Sequence, residues 1–370
     1  MKQLLILFIA TLFFLHAEAQ TGTSWPNYRG SNILNGISHS NFKTPIKRLW
    51  SFKVGDEIKS SPIIYENMIF VGGMDGYLYA LDQTGKLKWK YKTEASIEAS
   101  PIIIKKTVII GSMSGIVYAL DYKTGKLKWK FRTDGQIAGS ANWLSNGTTI
   151  QILVPSYDFN LYSLNLETGK VLWKCETENY INGSPATDNT KIVFGGCDSY
   201  MRIISAKSGK ETGKVKLGTY VAESSAMSEN LAFVGDYDGG FTCVDIVNNK
   251  VKWKFTNPKI TPFISSPAVN MDKVIIGSTD KKVYCFNKQT GKIVWTYQTY
   301  GKIESSPVLF DDKVVICSND GMIHFIALET GKKIYSYELG TAMKSTPAII
   351  SNLLVIAGKD GKVYAFKGSN

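Results

Sequence analysis

Residues 117–133 read V-Y-A-L-D-Y-K-T-G-K-L-K-W-K-F-R-T, and this stretch decides the fold. It is a strand, a tight polar turn at Lys123-Thr124-Gly125-Lys126, and a second, alternating strand that carries Trp129. Variants of it recur along nearly the whole chain, at Trp50, Trp89, Trp129, Trp173, Gly213, Trp253, Trp295 and Tyr335. A period of about 40 residues means one supersecondary unit stacked many times. Gly213 and Tyr335 depart from the Trp position, and Asn248-Asn249 departs from the Thr-Gly turn, so the fifth repeat is the most degenerate.

Each unit contains four short strand candidates. In the second cycle they fall at 99–103, 107–111, 116–121 and 127–132, with turn residues between them. Short strands with turn chemistry at this spacing indicate an all-β fold, and four per repeat with an aromatic signature in the last select a β-propeller. Asp75-Gly76, Asp238-Gly239, Asp320-Gly321 and Asp360-Gly361 supply the positive φ of one hairpin, and the Thr-Gly-Lys turns supply that of the next. These glycines occur once per repeat, which makes them folding elements rather than phosphate cradles.

The ends of the array close it. The last unit stops after its third strand, at residues 362–366, whereas residues 47–54 form a Trp-bearing strand without the three that should precede it. The expectation is an eight-bladed propeller of four-stranded antiparallel blades, with the N-terminal strand completing the last blade. Closure of this kind removes the sheet edges at which chains aggregate.

Upstream, residues 1–19 read as a cleavable signal peptide. Lys2 supplies the basic start, residues 4–15 an apolar run too short for a comfortable membrane span, and Ala17-Glu18-Ala19 the cleavage pattern. No Cys follows the run to carry a lipid, and no later segment is long and apolar enough to cross a bilayer. The sequence thus divides into a signal peptide (1–19), an arm (20–46) and the propeller (47–370). The arm, with Trp25-Pro26-Asn27-Tyr28-Arg29-Gly30, is expected to pack on the repeat body through Trp25 and Tyr28. The mature protein is expected to be exported, periplasmic or extracellular, and monomeric.

The net charge is +12, but the lysines are spread over turns and alternate strand positions with no run of five or six. That pattern describes a solvated rim, and with export it argues against nucleic acid. The five cysteines have neither zinc spacing nor a vicinal pair, and Cys243 and Cys285 occupy a repeat position held elsewhere by Ala80 and Ala119. They read as small core residues. After signal cleavage only His39 and His324 remain, which excludes His-rich metal sites and disfavours a Ser-His-Asp triad. His324 reads as an ordinary strand residue, and nucleophile-elbow and P-loop patterns are absent from the sequence.

The repeat S-P…G-x-x-D-G-x-[VL]-Y-A-[LF]-D-x-x-T-G-K-x-x-W, seen at 61–89 and 99–129, resembles that of pyrroloquinoline-quinone-type (PQQ-like) propellers. That family includes quinoprotein alcohol dehydrogenases and BamB-type outer-membrane assembly proteins, and the resemblance covers about residues 25–370. It implies that Trp50, Trp89, Trp129, Trp173, Trp253 and Trp295 dock between neighbouring blades near the Thr-Gly turns. For the quinoprotein enzymes it also implies a vicinal Cys-Cys pair, an Asp base and a calcium or lanthanide held by Glu, Asn and Asp. The sequence has no Cys-Cys, so no catalytic or metal-binding residue is assigned, and neither PQQ nor Ca²⁺ is expected as a cofactor.

Where the repeats differ, one position stands out. Counted from the Ser-Pro element that opens each innermost strand, it reads Lys59, Glu98, Ala138, Asn182, Glu223, Ile264, Glu304 and Lys344. These residues would ring one mouth of the central channel, where Lys59, Glu98, Asn182, Glu223, Glu304 and Lys344 form a candidate ligand site. The leading expectation is a non-enzymatic BamB-like scaffold for protein recognition in the cell envelope. The alternatives are a quinone- or metal-dependent oxidoreductase using the channel, and a secreted glycan-binding module.

Overall fold

In the computed structural model, residues 22–221 and 223–369 are described. The signal-peptide expectation for residues 1–19 lies outside them. Among the described residues every regular element is a strand, and no helix is long and apolar enough to cross a membrane. The strands form eight sheets in a meander, each running outward from an innermost strand at the channel. Blade 1, for example, consists of Ile63–Tyr65, Met68–Gly72, Tyr77–Asp82 and Leu87–Lys92.

The eighth blade closes the ring. Ile46–Lys53 pairs antiparallel with Lys362–Gly368, outside Leu353–Ala357 and Ala348–Ile350. The chain is therefore an eight-bladed, all-β propeller whose N-terminal strand completes the last blade.

Burial follows strand position. The second and third strands are apolar and buried on both faces, because each blade is packed between two others, while the fourth alternates exposed and half-buried residues. The core accordingly lies in the seams. One cluster joins Ile63, Phe70 and Leu78 of blade 1 to Ile103, Val108 and Tyr118 of blade 2.

The tryptophans sit at these seams. Trp50 Nε1 donates to the Gln83 carbonyl of the next blade (2.7 Å), Trp89 to Tyr122 (3.0 Å), and Trp129 to Leu166 (2.7 Å). Trp253 and Trp295 repeat the bond to Lys288 and Leu328. Each indole covers the turn glycine of the next blade, as Trp89 covers Gly125 and Trp129 covers Gly169, so a side chain there would collide with the ring. Trp173 covers Gly209 in the same way but donates to the Gln151 amide oxygen instead. Within its own blade the Trp opposes a small residue of the third strand: Ala80, Ala119, Ser163, Cys243, Cys285 or Ala365. Cys243 and Cys285 are buried free thiols at those positions, as the repeat alignment implied.

The arm does more than pack on the repeat body. It runs around the channel at one level and bonds to the innermost strand of every blade in turn. Trp25 pairs with Ile64 of blade 1, and the Pro26 carbonyl accepts from Ile103 of blade 2. Asn32 serves blades 3 and 4 through Asn142, Trp143 and Thr187. The Ile33, Asn35 and Gly36 carbonyls accept from Met227, Val269 and Leu309 of blades 5 to 7. Ile37–Ser38 runs parallel to blade 7, and the Ser38 hydroxyl reaches Ile349 of blade 8. The arm thus closes one end of the channel. Arg29, fully buried, is its anchor: Nη1 and Nη2 donate to the Pro307 and Pro267 carbonyls at 2.6 and 2.8 Å.

Candidate functional site on the propeller axis

The approach to each innermost strand alternates, so successive side chains face opposite ways. Ile58, Ile97, Ile137, Ile181, Val221, Phe263, Ile303 and Met343 are buried in the seams. The next residue turns to the axis, and Lys59, Glu98, Ala138, Asn182, Ile264, Glu304 and Lys344 line one cavity of about 400 Å³. Two residues further on lies a belt of hydroxyls. Ser61 N–H donates to Ser100 Oγ (2.9 Å), Ser100 to Ser140 (2.8 Å), Ser140 to Ser184 (3.0 Å) and Ser184 to Ser224 (2.8 Å). Ser266 donates likewise to Ser306 and Thr346 to Ser61, both at 2.9 Å. The belt stitches neighbouring blades together at the channel wall.

Glu223 requires a correction. The hydroxyl in register with Ser184 is Ser224, and Ser225 occupies the place of the proline. The ring position of blade 5 therefore falls on Ala222, which is outside the described residues. Glu223 stands one step deeper, where other blades carry Ser60, Ser265 or Ser345, whose hydroxyls bond their own second strand. Its carboxylate still lines the cavity, next to the Ser224 amide and the Ser266 hydroxyl. It is half-buried at the cavity wall.

The cavity's charges are paired across neighbouring blades. Lys59 Nζ lies 2.8 Å from Glu98, and Lys344 Nζ 3.1 Å from Glu304. Burial pushes Glu304 up, but Asn319 and Lys344 outweigh it and hold the carboxyl below its ordinary range. Among the described residues no cation stands within ion-pair distance of Glu223. Burial pushes it up to about 7, against the opposing pull of the Ser224 amide, Arg29 and the Ser266 hydroxyl. Burial also lowers Arg29 to about 10, with Tyr28 and Glu223 favouring its charge. Tyr28 forms the floor, its hydroxyl 3.1 Å from Ser266 and 3.4 Å from Ser306.

A second ring crowns the first: Met74, Met113, Tyr157, Cys197, Tyr237, Thr279, Asn319 and Lys359. In each case the backbone N–H donates to the loop entering the same blade, as Tyr157 does to Gln136 and Tyr237 to Tyr220. Tyr157 and Tyr237 line the cavity. Burial raises both phenols, Tyr157 to about 12. Cys197 Sγ accepts from Asn182 Nδ2 at 2.9 Å. Tyr28, the hydroxyl belt, Tyr157 and Tyr237 were missed as cavity residues from sequence. The second ring was detectable, since it lies one residue before the Asp of each Asp-Gly turn or its equivalent.

His324 takes the place of a recurrent Tyr that bonds an Asp four residues earlier, as Tyr162 does Asp158 at 2.7 Å. Its Nε2 lies 3.5 Å from Asp320, its Nδ1 is 3.1 Å from both Tyr297 and Ser336, and burial lowers its pKa. It serves the blade rather than the channel.

Among the described residues, eight blades, an arm bonded to all of them and an axial cavity define a closed propeller. A family model described as the β-propeller of the beta-alanine-activating enzyme matches residues 97–370, and one described as outer membrane protein assembly factor BamB matches residues 46–143. The chain belongs to the first of these propeller families, within the PQQ-like, BamB-like group. The outer membrane protein assembly factor BamB of Burkholderia pseudomallei (strain K96243) is 29% identical over 115 residues, a match spanning 31% of this chain and 29% of that protein. BamB from Moraxella catarrhalis superposes with a TM-score of 0.74 at 19% identity, covering 88% of this chain and 99% of that one. The computationally designed Ika8 protein gives 0.75 at 18% (87% and 99%), and a europium-containing methanol dehydrogenase 0.76 at 11% (94% and 98%). A natural assembly factor, a designed protein and an enzyme share this fold, so these likenesses carry the architecture and no activity.

The donor set does not fit the quinone and metal chemistry that the family resemblance raised. Among the described residues no three His, Cys, Asp or Glu side chains gather to hold a metal. Glu98 and Glu304 are occupied by lysines, and the cysteines stand singly. No step through a quinone or a metal is derived.

Proposed function

We propose that this protein is an exported, non-enzymatic propeller scaffold that recognises a protein of the cell envelope on its mouth face. In this reading, removal of residues 1–19 leaves a periplasmic monomer in which the arm (20–46) and the propeller (47–370) act as one unit. The observation that carries it is an arc of exposed aromatic side chains over blades 3 to 5. Phe159, Tyr180, Tyr220 and Tyr237 are 38%, 45%, 52% and 44% exposed. Tyr180 packs against Tyr157 and Phe159 at ring-centroid distances of 5.0 and 5.3 Å, and Tyr220 against Tyr237 at 5.9 Å. Clustered aromatics of this kind form the energetic centre of protein interfaces, because each offers a large, rigid contact area with a polar tip. The relatives named as outer membrane protein assembly factors suggest a partner that handles outer-membrane proteins.

The test is cross-linked capture from envelope fractions with the wild type and a Tyr180→Ser/Tyr220→Ser variant. Recovery of an outer-membrane assembly component by the wild type, lost in the variant, is expected. Equal recovery by both, or fractionation of the protein with the cytosol, would overturn the reading.

A further inference from the structure

We propose that the axial cavity is a binding site for a neutral mono- or disaccharide, entering from the mouth crowned by Tyr157 and Tyr237. This goes beyond the scaffold reading and stands without it.

Charge decides the ligand class. Lys59 is already paired with Glu98, and Lys344 with Glu304. Glu223 lies outside these pairs, and burial raises it toward the neutral acid. An ion drawn to any of these four side chains would have to break one of the two pairs and leave its partner uncompensated. A neutral ligand that both donates and accepts hydrogen bonds leaves every pair intact. It can use the second lone pairs of the carboxylates and the remaining protons of the ammonium groups.

The rest of the lining suits a sugar. The belt hydroxyls of Ser61, Ser100, Ser140 and Ser184 accept a neighbouring blade's amide, so each keeps its own O–H to donate. Asn182 adds an amide on the same wall. Tyr157 and Tyr237 belong to blades 3 and 5, on the opposite side of the channel from Lys344 and Lys59 of blades 8 and 1. A pyranose has an apolar C–H face and a rim of hydroxyls, and here two phenols stand across the channel from two ammonium groups, with the hydroxyl belt beneath. The cavity of about 400 Å³ is small-molecule sized, since such sites span roughly 300–1,000 Å³. Tyr28 closes its floor, so the ligand is enclosed rather than threaded through the channel.

The experiment is calorimetric titration of the full mature chain with glucose, galactose, mannose, maltose and cellobiose, beside glucosamine and glucuronate as charged counterparts. The control variant is Ala138→Leu, which adds bulk at a cavity-lining position and removes no polar contact. A circular-dichroism melt checks that it folds. At least one neutral sugar is expected to bind saturably, about tenfold or more tighter than its charged analogues, and to lose about tenfold or more in Ala138→Leu. The proposal is overturned if none of the neutral sugars saturates below about 10 mM. It is equally overturned if the charged analogues bind as well, or if a folded Ala138→Leu binds undiminished, which would put any sugar on the outer surface.

Discussion

Gly213 faces Asn249 across the seam between blades 4 and 5, where the other intact seams set an indole on a turn glycine. The two exceptions in the repeat are thus one exchange: the large residue has moved across the seam, from the fourth strand to the turn. The third-strand residue opposite grows accordingly, from Ala, Ser or Cys to Ile203. Tyr335 has a parallel explanation. Its seam leads to blade 8, which has no third-to-fourth-strand turn to receive an indole, because the two chain ends meet there.

The exchange predicts strong coupling. Gly213→Trp alone should overpack against Asn249 and cost about 1–3 kcal/mol. Asn249→Gly alone should open a void, its backbone being already in the left-handed region at φ 51°. The double variant should recover part of both losses, the remainder being the crowding of the indole against Ile203. Urea unfolding of the four proteins gives the coupling energy, and simple additivity would show that the pair is not an exchange.

Gly125 tests the ordinary seam. Its φ is +69°, and the nearest Trp89 ring atom is 2.7 Å from where a Cβ would sit. Gly125→Ala should cost about 1–3 kcal/mol in the wild type. In a Trp89→Ala background, with the indole gone, only the backbone term of about 1 kcal/mol should remain. Equal costs in both backgrounds, by the same urea measurement, would show that the indole does not set the requirement for glycine.

How far the sequence could be read follows from the range of each interaction. The blades were legible because strand alternation, Asp-Gly turns and the Trp position are local and repeat, and repetition averages out each exception. Closure was legible because a missing strand at one end matched a surplus strand at the other. Arg29 was not legible. Its partners are carbonyls 238 and 278 residues away, brought together only once the ring closes. Glu223 was misplaced by one residue because Ser224-Ser225 offers two serines for one belt position, and only the bond from the Ser184 amide distinguishes them. The cavity's composition could be read, but its floor could not, since nothing local says that an arm rich in turn residues enters a channel.

Arg29 should be the arm's strongest single attachment. Arg29→Met keeps much of the apolar stem but strands the Pro267 and Pro307 carbonyls, both otherwise satisfied by the guanidinium. The expected loss is about 3–5 kcal/mol. The same variant should make the arm accessible to protease before the propeller unfolds, because the blades keep their own ladders. Limited proteolysis with mass analysis checks this; cleavage at wild-type rates would mean that Trp25 and the backbone bonds hold the arm without it.

Glu223 should give stability a pH dependence of defined sign. Its folded-state pKa is raised to about 7 from the ordinary 4.5, chiefly by burial. Between those values the folded protein keeps a proton that the unfolded chain has lost. Stability therefore falls as pH rises through that window, is unaffected by this group below it, and levels off above it. The full difference corresponds to at most about 3.4 kcal/mol. Glu223→Gln is neutral at every pH and can keep the contacts to the Ser224 amide and the Ser266 hydroxyl, so it should remove this part of the slope. Unfolding free energies at pH 5 and pH 8 should therefore differ less in the variant, with its gain concentrated at pH 8. If the two proteins show the same pH dependence, Glu223 is ionised throughout, and the pull of Arg29 on its carboxylate outweighs burial.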